Sequence, residues 1–141
     1  MSSMYNRLKI KEELKKALEK DLEYQPPHPP NYDELINNIG ESNWRKLFIL
    51  YGYLDSWYDS VAGYAYSLLE NNEMKWNNKN LLKQKRETIK EIKNIKVSLR
   101  KYPVVAKYFI SLLTWWKRIL VILNLLLEYG KSADKEREVS K

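Results

Sequence analysis

Six cations, Lys79, Lys83, Arg86, Lys90, Lys93 and Arg100, recur at steps of 4, 3, 4, 3 and 7. On a helix of 3.6 residues per turn, that spacing draws them into one line. At 1.5 Å per residue the line is about 32 Å long, close to one turn of a nucleic-acid duplex. The chemistry open to such a row is neutralisation of phosphates, with release of their counterions. Residues 79–101 hold nine basic side chains against two acids, an excess equal to the whole net charge of +7. The remaining residues balance. A bland reading stays open beside this one, in which the row is a solvated helix face and Glu87 and Glu91 pair with Lys83 and Lys90. Acidic protein or lipid headgroups would also suit the row. A shorter row, Arg7, Lys11 and Lys15, lies near the N-terminus, where five acids offset six bases over residues 4–24.

Catalytic chemistry is poorly supplied. The single histidine, His28, stands between two proline pairs, where nothing fixes a base or a metal ligand. Asp55 and Asp59 are spaced i,i+4 and can share a helix face. Paired carboxylates do acid–base or metal work only with further ligands, and a solvated face or a salt bridge is the simpler expectation. There is no cysteine, hence no thiol nucleophile, disulfide or thiolate metal site; this fits a reducing compartment, or a virion assembled in one. No phosphate loop, nucleophile elbow or zinc spacing occurs. No enzyme, metal or cofactor is expected. The opening MSSMYNRLKIKEELKK has no apolar run of the signal-peptide kind, so no secretory signal is expected. Ser2 excludes N-myristoylation.

The elements that must position these residues are helical. Four glycines and five prolines in 141 residues leave few turns between long periodic runs, which predicts an all-α, antiparallel helical bundle with an N-terminal helical arm. Residues 1–25 form the arm, with Leu8, Leu14, Leu18 and Leu22 as a narrow stripe that must dock elsewhere. QPPHPP marks a semi-rigid hinge over 26–31. The bundle core spans 32–130, and 131–141 is a charged, flexible tail.

Within that core, NYDELINNIG is a short helix, with Asn31 as cap, Glu34 in a capping box and Gly40 at C′. A long helix over about 43–69 carries the seam Leu47, Tyr51, Leu54, Tyr58, Val61, Ala65 and Leu68, at alternating steps of 4 and 3. Leu50, Trp57 and Tyr64 widen it. Gly52, Ser56, Ser60, Gly63 and Ser67 form a second line that admits another backbone closely. NNEMKWNNKN is a loop, and the basic helix follows over about 80–101. Pro103 opens the last helix, which runs to Tyr129 and stops at Gly130.

That last helix contains SLLTWWKRILVILNLLLEYG. It is long enough to span a bilayer, but Lys107 interrupts it and Lys117 and Arg118 fall at its middle. Each mid-membrane cation costs roughly 2.5–3.5 kcal/mol, so a lone span is not expected. Burial in the bundle is the simpler reading. Val121 and Leu125 continue the outer line of Lys107, Thr114 and Arg118, and so are candidates for contact with another subunit or the edge of a lipid layer.

The arrangement of an amphipathic arm ending in EYQPPHPPNYDEL, Trp/Tyr-rich helices, the basic helix KNLLKQKRETIKEIKNIKVSLRK and an apolar last helix resembles the major coat proteins of filamentous archaeal viruses, of the lipothrixvirus and rudivirus type. The resemblance covers nearly the whole chain as a layout. It implies a virion protein, assembled in the host cytoplasm, whose helical bundle and arm package linear double-stranded DNA. It further implies partners in copies of itself or a paralogous coat subunit, and contact with a membrane envelope in enveloped members. Two other classes fit the residues. One is a small helical nucleic-acid-binding subunit of a nucleoprotein complex, of the CRISPR-effector kind. The other is a membrane-peripheral interaction protein with 111–129 at lipid.

Overall fold

The computed structural model describes the backbone of residues 3–21, 32–71, 78–103 and 106–140, and the side chains of 6–21, 32–70, 79–103 and 106–131. Five helices and no strand occur among the described residues. They are α1 (Ser3–Asp21), α2 (Tyr32–Ile39), α3 (Glu41–Asn71), α4 (Asn78–Lys101) and α5 (Ala106–Ser140). The all-α bundle holds.

α5 is the axis of the bundle, with α1, α3 and α4 packed along it. Directions follow from paired residues. Lys11 lies over the Tyr129 ring and Asp21 meets Arg118, so α1 runs antiparallel to α5. Tyr51 reaches the Tyr108 carbonyl while the Tyr58 ring meets that of Trp115, so α3 runs parallel to it. Tyr102 stacks on Phe109, and Leu82 and Lys85 share a cavity with Leu127 and Glu128, so α4 is antiparallel. The long helices thus alternate in direction along the chain.

The seam of α3 explains its placement. Leu47, Tyr51, Leu54, Val61, Ala65 and Leu68 are buried and Tyr58 is half-buried. On α5, Phe109, Leu112, Trp116, Ile119, Leu123 and Leu126 are buried. Gly40 ends α2 with φ +82°. Its N–H donates to the Ile36 carbonyl at 3.0 Å, while its own carbonyl accepts from the Trp44 N–H at 3.0 Å. One residue therefore closes α2 and opens α3, in a left-handed conformation that glycine adopts at little cost. The expected cap Asn31, Leu22 of the expected stripe and the hinge 26–31 lie outside the described residues.

Four expectations are corrected. The N-terminal helix does not dock elsewhere: Ile10, Leu14 and Leu18 are buried in the same core as α5, and each fully buried aliphatic side chain is worth about 1.5–3 kcal/mol. Ile10, not Leu8, completes the stripe, because 10, 14 and 18 share a face that Leu8, at 61% exposure, misses. The last helix does not stop at Gly130; it continues to Ser140, so 131–140 is helix and not an irregular tail. Glycine within a helix costs only about 1 kcal/mol, and Ala133, Lys135, Glu136, Arg137 and Glu138 favour continuation. Pro103 sits in a short 3₁₀ turn and α5 begins at Ala106.

Candidate nucleic-acid interface

The core face of α4 is built by Leu81, Thr88, Ile92 and Ile95, all buried, with Leu99 packed beside them. This fixes the rotation of the helix. Lys79, Lys83, Arg86, Lys90, Lys93 and Arg100 then fall on the opposite side, and all six are exposed. Val97 fills the place of a cation between Lys93 and Arg100 and is exposed as well. Glu87 and Glu91 form no ion pair with Lys83 or Lys90 among the described residues. The Arg100 Nε–H donates to the Lys96 carbonyl of its own helix, which leaves its charge uncompensated. The whole row is thus available to a polyanion without first breaking an internal ion pair.

The N-terminal row is different. Lys15 is exposed, but Arg7 and Lys11 are half-buried on the side of α1 that faces α5. The Lys11 ammonium lies 5.9 Å from the centre of the Tyr129 ring. Burial, with the neighbouring Arg7 charge, lowers its pKa. The expected open row of Arg7, Lys11 and Lys15 is corrected to a single outward cation. Arg7 and Lys11 sit within one turn of Ile10 and Leu14, and their aliphatic stems follow the helix onto the core.

On the outer side of α5, Val121 is 51% exposed. Leu125 is half-buried and packs against the core cluster, so the expected outward pair reduces to one outward residue and one at the rim. Arg118, on the same expected line, turns inward. Its guanidinium donates to Asp21 at 3.1 Å, and the two side chains are 13% and 8% exposed. Tyr58 donates to the other carboxylate oxygen at 2.6 Å. Burial above all, then the bond to Asp21, raises the Tyr58 pKa. Arg118 also lies over the Trp115 ring, 5.2 Å from its centre. Sequence reasoning missed this network, because residues 21, 58 and 118 share no local spacing.

α5 is long and apolar enough to cross a membrane over Ala106–Lys131, with mean hydropathy 1.6, yet half of that window is buried inside the bundle. The line of small residues on α3 is exposed, and a Cβ added at Gly52 or Gly63 would meet nothing within 4 Å. No backbone among the described residues uses that close approach.

Asp55 and Asp59 are exposed on α3, and no group of three metal-ligating side chains occurs among the described residues. His28 lies outside them. A second feature missed from sequence is a cleft of about 440 Å³ between α3 and α4, lined by Tyr53, Trp57, Glu87, Lys90, Glu91 and Trp116. It forms because both helices pack on α5 while their backbones stay apart, bridged by the Trp57–Thr88 hydrogen bond. No protein-family model, curated protein or solved structure matches this chain.

Proposed function

We propose that this protein is a structural nucleic-acid-packaging subunit, not an enzyme, that binds duplex DNA by its backbone along α4 and assembles with copies of itself or a paralogous subunit. The observation that carries this reading is the row from Lys79 to Arg100: six exposed cations, in one line about 32 Å long, without an ion pair among the described residues. Phosphate contacts position a protein on the duplex but carry no sequence information. No base-reading motif accompanies the row, so binding is expected to show little sequence preference. Lys15 stands on a separate helix, α1, and is not counted with the row. The resemblance in layout to filamentous archaeal virus coat proteins supports a place in a virion. The exposed Val121 supports a lateral contact, with a second subunit or with an envelope.

The test is charge reversal of Lys83, Arg86, Lys90 and Lys93 together, read by duplex binding across a salt series and by electron microscopy with linear DNA. The wild type is expected to form regular assemblies on DNA of any sequence. The variant is expected to bind every sequence more weakly, with the log–log salt slope flattened by about 0.9 per lost phosphate contact. Unchanged affinity and slope would falsify the reading.

A further inference from the structure

The α3–α4 cleft holds an unused combination of groups. Its floor is Trp116, which is 2% exposed yet has an indole N–H with no hydrogen-bond acceptor among the described residues. An indole nitrogen can only donate, and a buried donor left unmade is costly. The neighbouring Trp57 shows the contrast. Its N–H donates to Thr88 Oγ1 at 3.0 Å, and Thr88 in turn donates to the Gln84 carbonyl at 2.7 Å.

On the α4 wall stand Glu87 and Glu91, the two acids of the basic helix. They are one turn apart, where like charges repel. Burial raises the Glu91 pKa, with Lys90 opposing and Glu87 adding to the rise. Aromatic surface completes the lining: Tyr53 is exposed, Trp57 is half-buried, and the Trp57 ring lies 6.2 Å from that of Trp116. Lys90 belongs both to the cleft and to the cation row.

We propose that this cleft takes an unpaired nucleobase bearing an exocyclic amine next to a ring acceptor, as cytosine and adenine do, with its phosphate directed to Lys90. The proposal rests on the nucleic-acid reading above and adds a second mode of contact to it. The fit is by chemistry. Carboxylates accept from an exocyclic amine. The Trp116 N–H supplies the donor for a ring nitrogen or carbonyl. Tyr53 and Trp57 offer faces on which a base can stack. Thymine presents a carbonyl where cytosine presents an amine, and so meets the two glutamates with no donor at that position. A volume of about 440 Å³ is in the range of small-ligand sites and too small for a protein element.

Quenching of tryptophan fluorescence tests this, with single-stranded dC and dT homopolymers of equal length, at fixed salt and neutral pH, titrated into the full chain. The dC strand is expected to quench and to bind at least about 10-fold more tightly than dT, in keeping with the discrimination that hydrogen bonds to one base edge supply. Tyr53→Ala alters an exposed side chain outside the core. It is expected to weaken dC and dT alike, because stacking is sequence-tolerant, while leaving duplex affinity unchanged. Glu87→Gln with Glu91→Gln, whose amides can also donate to a thymine carbonyl, is expected to abolish the dC preference. Trp116→Phe keeps an aromatic ring, smaller than the indole, and removes the N–H, and is expected to lower the dC preference. Equal affinity for dC and dT, quenching by spermidine in place of dC, or a dC preference that survives the double glutamine variant overturns the proposal. Failure of the duplex test with the dC preference intact would remove the packaging reading and leave the cleft standing.

Discussion

Arg118 and Asp21, 97 residues apart, meet at 3.1 Å with both side chains nearly buried. The contact joins the end of α1 to the middle of α5, and Tyr58 adds α3 to the same carboxylate. It accounts for a cation at the centre of the most apolar stretch of the chain. The charge is not an interruption of a membrane span but the partner of an acid carried in by α1. Three helices thereby fix one another's rotation and height, beyond what apolar packing specifies.

Breaking this pair is expected to cost more than the pair contributes, because the surviving charge stays buried. Asp21→Asn and Arg118→Met should each destabilise the chain by about 3 kcal/mol or more. The double variant should lose clearly less than the sum of the two. Chemical denaturation of the four proteins in a double-mutant cycle checks this. Additive losses would show that the two side chains act independently.

Glu34 on α2 accepts from the Tyr108 hydroxyl and pairs with Lys107 at 3.1 Å. The Tyr108 bond first, then Lys107, lowers the Glu34 pKa, while Glu34 raises the pKa of Lys107. A carboxylate with a depressed folded-state pKa contributes stability that is present above its unfolded value and lost as pH falls through the folded one. The raised Lys107 adds a contribution that is lost only as pH rises through its own elevated value. Wild type should therefore exceed Glu34→Gln in stability at neutral pH, and the difference should vanish in acid. Paired denaturation curves across pH, with the Glu34 carboxyl titration followed by NMR, measure both. A pH-independent difference would leave the capping role of Glu34, expected from its place in NYDELINNIG, as its main contribution.

What the sequence made legible was periodicity. The 4-3 seam of α3 depends on spacing within one helix, and the buried residues follow it, with Tyr58 half-buried. Gly40 was legible for the same local reason: a glycine after a capped apolar run has one favourable role. What stayed hidden was relative placement. Lysine and arginine spaced like a surface row at 7, 11 and 15 gave no sign that α5 would cover part of it, since a long basic side chain tolerates a half-buried stem. The Arg118–Asp21 pair and the Trp116 cleft join residues from different helices, and no spacing rule reaches across them. The stop at Gly130 failed because a single glycine is a weak terminator when the residues after it favour helix.

Val121 and Leu125 now call for different expectations. Val121 is half exposed and contributes little to the monomer core, whereas Leu125 packs against it. Val121→Asp should therefore leave the monomer folded and, if the outer side of α5 meets another subunit, stop assembly on DNA. Leu125→Lys should weaken the monomer itself, by up to about 1.5 kcal/mol for a partly buried leucine, because lysine can lift its charge to solvent along its stem. Thermal unfolding of each variant, with light scattering in the presence of linear duplex DNA, separates the two effects. A folded Val121→Asp that still assembles normally would make the outer face of α5 idle surface. Flotation of wild type, but not Val121→Asp, with DNA-free vesicles would assign that face to lipid instead of a second subunit.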